Sequence, residues 1–82
     1  MVAAHILIQT EAGTVGQVLK GLADIDEVRS AQGVNGPFDV IAMAEADTLD
    51  ALGMLVLTRI HMIPGITRTL TCPVLHLEAG PG

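Results

Sequence analysis

The order strand, helix, strand, read twice, limits the fold of this chain more than any other feature of its sequence. Ile25-Asp26-Glu27-Val28-Arg29-Ser30 follows a first helical stripe as Ile63-Pro64-Gly65-Ile66-Thr67-Arg68 follows a second. Each half reads βαβ, and right-handed crossovers leave few ways to join two such halves. The expected fold is α+β, a ferredoxin-like βαββαβ plait with both helices on one face of an antiparallel sheet.

The individual stretches support this order. Val2 to Gln9 is too short for a typical helix and reads as a strand apolar on both faces, hence central. Thr14-Val15-Gly16-Gln17 has the T-x-x-Q form of a capping box. Val15, Val18, Leu19, Leu22 and Ile25 then form one apolar helical stripe, with Gln17, Lys20 and Asp24 on the wet side. Glu27 to Val34 reads as an edge strand in which Val28, Ser30, Gln32 and Val34 alternate against Arg29, Ala31 and Gly33. Asp39 to Glu45 reads as a second central strand.

Asp47-Thr48 supplies capping chemistry for a helix from Leu49 to Ile63, with Asp50 in its first turn, where negative charge suits the dipole. Leu49, Leu52, Val56, Ile60 and Ile63 make its sheet-facing stripe, while Met54, Leu55, Leu57 and Met62 lie off it. Pro64-Gly65 ends the helix, and Ile66 to Leu77 forms the last strand with Thr67, Thr69 and Thr71 on one face. Residues 1–82 are expected to be a single domain in which 78–82 is a flexible tail.

Composition bears on what covers this domain. Half the residues are apolar and only 16% are charged, against roughly a quarter in an average soluble domain. One small globule cannot hide that much apolar surface, so the bare sheet face is expected to pack on a second copy as a dimeric α+β barrel or sandwich. The second helix, apolar nearly all round, would add contacts between dimers. The formal net charge is -5, and the basic residues Lys20, Arg29, Arg59 and Arg68 are scattered, which argues against direct nucleic-acid binding. Cys72 is the sole cysteine, and His5, His61 and His76 fall on different elements without ligand spacing, so neither disulfide, metal nor cofactor is expected. No apolar stretch approaches the roughly 20 residues needed to span a bilayer, and the apolar run Val2 to Ile8 has no basic residue before it, is interrupted by His5 and is followed by no small-residue cleavage pattern, so it reads as a strand and not a signal peptide. The expected location is cytoplasmic.

The most distinctive stretch is Gly33-Val34-Asn35-Gly36-Pro37-Phe38-Asp39-Val40, which carries the one aromatic residue and sets a carboxylate at the start of an apolar strand. Gly36-Pro37 predicts a sharp turn, with glycine supplying a positive φ. Asp39 then either stabilises the turn or faces a ligand. Thr69 and Thr71 carry a similar ambiguity, being good strand formers through β-branching as well as hydroxyl donors.

Two motifs resemble the effector-binding domain of the Lrp/AsnC (feast/famine) transcription regulators, the RAM domain. Val34-Asn35-Gly36-Pro37-Phe38-Asp39-Val40 fits that family's Gly-x-(Tyr/Phe)-Asp pattern, and Ile63-Pro64-Gly65-Ile66-Thr67-Arg68-Thr69-Leu70-Thr71 fits its I-P-G-V…T-x-T ending. The similarity runs from Val2 to Leu77, in the right order and inside the βαββαβ pattern. The sequence begins at the first strand of the effector domain, so it resembles a stand-alone version lacking the helix-turn-helix. Asp26-Glu27 departs from the Pro-Gly common after the first helix.

The resemblance implies dimers assembling into a larger ring, such as an octamer or decamer, with an amino acid or related metabolite bound between dimers. Any control of transcription would act through a protein partner. On that footing Asp39 accepts from the effector's ammonium, backbone N–H groups around Gly36 and Phe38 meet its carboxylate, and Thr69 and Thr71 donate hydroxyl hydrogen bonds. Phe38 and the methionines would contact the side chain. The competing reading is a small dimeric α+β-barrel enzyme, a cofactor-free oxygenase, isomerase or haem-handling protein, since fold does not dictate function. The absence of Trp and Tyr and of an evident acid–base pair weighs against it.

Overall fold

The structure, a computed structural model, describes residues 1–75. Among these the order is β1 (Val2–Thr10), α1 (Val15–Ala23), β2 (Val28–Gly33), β3 (Val40–Ala46), α2 (Leu49–Leu55) continuing as a π-helical segment (Val56–Ile60), and β4 (Ile66–Pro73). The strands form a four-stranded antiparallel sheet in the order β2-β3-β1-β4. β1 and β3 are therefore central and β2 is an edge, as their polarity predicts. This is the βαββαβ plait read from the sequence.

Strand alternation divides the sheet into two faces. Ala4, Ile6 and Ile8 of β1 stand in register with Ala44, Ala42 and Val40 of β3, and all six are fully buried. Val18 and Leu22 of α1, Leu52 and Leu55 of α2, and Val56 and Ile60 of the π segment close over them. A fully buried Ile or Leu contributes about 1.5–3 kcal/mol. The alanines of β3 leave room for the helices to approach.

Among the described residues the opposite face carries no helix. Its rows run Gln32–Ile41–Leu7–Leu70 and Ser30–Met43–His5–Cys72 across β2, β3, β1 and β4. Leu7, Ile41, Met43 and Cys72 are half-buried there, and Leu70 is 44% exposed.

Several local expectations are corrected. Thr14 does not close a capping box: its hydroxyl donates backwards to the Glu11 carbonyl at 2.7 Å and makes no cap to α1. Thr48 does cap, accepting from the Ala51 amide at 3.0 Å. β2 carries a bulge between Val28 and Ser30, so Val28 and Ala31 both pack on the core instead of alternating. Leu55, read as off the stripe, is 6% exposed, whereas Leu49, read as on it, is 55% exposed.

The second helix is not α-helical throughout. The His61 amide donates to the Val56 carbonyl five residues back at 2.9 Å, and the Thr58 hydroxyl bonds the Met54 carbonyl at 2.6 Å. β4 stops at Pro73, earlier than Leu77, although the Val74 amide still donates to the Ala3 carbonyl at 2.8 Å. The expected strand end at 76–77, His76 and the tail 78–82 lie outside the described residues.

Candidate functional site

The chain between β2 and β3 is a six-residue loop, 34–39, stitched to the end of β1. The Val34 amide donates to the Asp39 carbonyl and the Asp39 amide to the Ile8 carbonyl, both at 2.9 Å. The Gln9 side-chain amide donates to the Pro37 carbonyl at 3.1 Å, and the Asp39 carboxylate accepts from the Thr10 amide through Oδ2 at 2.8 Å. Charge-assisted bonds of this kind hold a carboxylate in one orientation. Asp39 therefore has a structural role. Its Oδ1 has no partner among the described residues.

Gly36 does not supply the expected positive φ. Among the described residues only Gly13 and Gly65 have one, at 80° and 100°. The connection is a wider loop that needs no left-handed residue at that point. Gly36 is exposed and Phe38 half-buried, and their amides donate to no acceptor among the described residues.

Thr69 and Thr71 stand opposite Ile8 and Ile6, which places them on the helix side of β4, where both are half-buried. Thr67 does not join them. It falls at an irregularity in the register, its hydroxyl donating to the Gln9 carbonyl at 3.3 Å, and Ile66 takes the core-facing place opposite Thr10. Val40 and Thr69 flank Ile8 from opposite sides, two strand spacings or about 10 Å apart. A single subunit thus brings Gly36, Phe38 and Asp39 together, and Thr69 and Thr71 together, but keeps the two groups on opposite sides of β1.

The sequence assigns no side-chain partner to His61, which is exposed. Its Nε2 lies 2.6 Å from Thr69 Oγ1. No spacing motif announces this pair, because the contact depends on how the π-helical segment and the loop 61–65 return the chain to β4.

That loop also explains the I-P-G motif physically. A Cβ on Gly21 would lie 2.9 Å from Cγ2 of Ile63, so the glycine lets Ile63 pack closely on α1 without either having to shift. Gly65 has φ 100°, and a Cβ on it would lie 2.8 Å from Thr14 Oγ1. Its carbonyl accepts from the Glu11 amide at 2.8 Å. The motif therefore locks the α2–β4 connection onto the β1–α1 loop.

Two hollows lie away from the candidate residues. A groove of about 520 Å³ runs between α1 and the second helix, lined by Gln17, Gly21, Ile25, Arg59, Met62 and their neighbours. A hollow of about 290 Å³ lies by Glu27, Arg29, Glu45 and Asp47. Neither contains any of the five candidate residues. Arg29 pairs with Glu45 at 3.4 Å and Arg59 with Glu27 at 3.3 Å, exposed contacts of the weak surface kind. Among the described residues no group of acidic, histidine or cysteine side chains is placed to hold a metal ion, and no helix is long and apolar enough to cross a membrane.

Solved structures with this fold include the hypothetical protein PHS023 from Pyrococcus horikoshii, 37% identical, with 96% of this chain and 94% of that one covered at a TM-score of 0.85. AsnC of E. coli is 27% identical over 93% of this chain and 52% of its own, with a TM-score of 0.87. The transcriptional regulator NMB0573 from Neisseria meningitidis, in complex with L-Met, shares the fold at 18% identity and a TM-score of 0.82, covering 90% of this chain and 49% of its own. The chain spans about half the length of these two regulators. No curated protein matches it. The family described as Lrp/AsnC ligand binding domain matches residues 3–77, nearly the whole sequence, and the chain belongs to that family.

Proposed function

We propose that the chain is a non-catalytic, cytoplasmic effector-binding module. Copies pair through the helix-free sheet face, dimers assemble into a larger ring, and an amino acid or related small metabolite binds where dimers meet. The occupied assembly acts on transcription or metabolism through a protein partner and not by touching nucleic acid. The L-Met bound to the Neisseria regulator supports the ligand class.

One observation carries this reading: the candidate groups are split across β1 within a subunit. The ammonium and carboxylate of an amino acid hang on one carbon, so groups set on opposite sides of a strand serve both more readily when they come from two subunits. At such a boundary the Asp39 of one copy takes the ammonium through its free Oδ1, and Thr69 and Thr71 of another donate to the carboxylate. Burying either charged group without such partners would be costly.

The test is isothermal titration of the assembled protein against the amino acids, methionine included, repeated with Asp39→Asn. That variant keeps an oxygen for the Thr10 amide and removes the charge. Saturable binding by the wild type, weakened by the substitution, supports the reading. An assembled wild type that binds none of the panel overturns it.

A further inference from the structure

We propose that His5 makes the pairing of subunits through the helix-free sheet face sensitive to pH, closed near neutrality and opened by acid. The inference rests on the pairing described above, in which a second copy of the chain covers that face.

The face is large enough for that occupant. Four strands at a spacing of about 4.8 Å, along the nine residues of β1 at about 3.4 Å each, span about 600 Å² per copy and about 1,200 Å² for two, the lower end of what stable interfaces bury. Its middle is apolar, formed by Leu7, Ile41, Met43 and Leu70. His5 stands within it, between Met43 on β3 and Cys72 on β4. The ring is exposed in a single subunit and has no hydrogen-bond partner among the described residues.

The charged groups of the face do not serve it. From β3, Glu45 stands opposite Ala3, a diagonal neighbour of His5 at about 7–8 Å, and is taken by Arg29 of β2 at 3.4 Å. The Asp39 carboxylate, ahead of β3, is engaged by the Thr10 amide at 2.8 Å. From β4, Arg68 stands two rows away opposite Gln9 and is itself a cation, while Cys72 is a thiol and carries no charge on the acid side of neutrality. A second copy brings the same set. A covered imidazolium would therefore lose its water and gain no partner, whereas the neutral ring costs far less to cover. Each subunit must release one proton to solvent in order to pair. Stability of the pair is thus full where the free ring is neutral and is lost as pH falls. Once the free ring is protonated, each unit of pH raises the dissociation constant about tenfold per subunit, or about a hundredfold for the pair. Histidine ordinarily changes charge between pH 5 and 8, so the loss sets in just below neutrality. Acid opens this face without altering a residue of the effector site.

Sedimentation equilibrium of the wild type at fixed ionic strength, at pH 7.5 and 5.5, tests this, with far-UV circular dichroism following the fold of the subunit. The dissociation constant of the pair should rise on the order of a hundredfold over that interval while the spectrum stays constant. His5→Gln, neutral at both pH values, should pair equally at both, and His61→Gln should keep the wild-type response. A wild-type pair equally tight at the two pH values, or a His5→Gln pair that dissociates in acid as the wild type does, overturns the inference and leaves the pairing intact. A wild type already monomeric at pH 7.5 overturns the pairing and this inference together, and leaves the face to a different partner.

Discussion

Replacing Gly65 by alanine should damage this domain more than any other single methyl group added to its surface loops. Two independent costs meet there. At φ 100° an L-residue sits in a region that only glycine enters freely, a strain of about 1–3 kcal/mol. The new Cβ would also lie 2.8 Å from Oγ1 and 2.9 Å from Cβ of Thr14. Neither atom can swing aside cheaply, since Thr14 Cβ is fixed to the backbone and the hydroxyl is engaged with the Glu11 carbonyl at 2.7 Å. Relief would require the β1–α1 loop to move and would stretch the bond from the Glu11 amide to the Gly65 carbonyl. Overpacking of this kind costs about 1–3 kcal/mol. Together the expected loss is about 3 kcal/mol, or a fall in Tm of about 15 °C for a domain of this size. Urea unfolding at one fixed protomer concentration measures it, because assembly makes apparent stability concentration-dependent. Adding Thr14→Gly to Gly65→Ala should recover the steric share and leave the backbone share. A Gly65→Ala variant within about 0.5 kcal/mol of wild type would refute the reasoning.

Gly21→Ala sets a helix-propensity gain of up to about 1 kcal/mol against a 2.9 Å approach to Ile63. The clash should win by about 1 kcal/mol, and thermal melts should show the sign reversing in an Ile63→Ala background. Thr48→Ala removes the one side-chain cap seen on a helix among the described residues and should cost about 1 kcal/mol by urea titration. Leu70→Lys, on the helix-free sheet face, should leave the far-UV circular dichroism spectrum unchanged while lowering the assembled mass in light scattering. An unchanged mass would mean that this face is not where copies meet.

What the sequence made legible is what depends on local pattern. The apolar runs of β1 and β3 announced central strands, the stripe of Val18 and Leu22 announced a buried helix face, and Thr48 announced its cap. Long-range contacts overrode the same reasoning elsewhere. Thr14-x-x-Gln17 reads like a cap, but the packing of Gly65 against Thr14 holds that loop so that the hydroxyl turns to Glu11. The bulge in β2 moves every later residue to the other face, and nothing in Val28-Arg29-Ser30 marks it. The π-type hydrogen bonding leaves the i, i+4 spacing of Val56 and Ile60 untouched, so it too is silent in the sequence.

The candidate site divides in the same way. Asp39, Gly36 and Phe38 were found as a contiguous motif, and Thr69 and Thr71 as an alternating pair, because each set lies on one short stretch of chain. Their separation across β1 and the bond from His61 to Thr69 belong to the register of β4, which no short motif encodes. Likewise the glycine expected to need a positive φ was Gly36, whereas the fold requires one at Gly65, where the chain must pass Thr14 closely.

The claim beneath the functional reading is that Leu7, Ile41, Met43 and Leu70 are covered by another copy of the chain. Sedimentation equilibrium at micromolar protein tests it most directly. The account predicts a species of at least two subunits that persists on dilution, and a stable folded monomer across that range would contradict it.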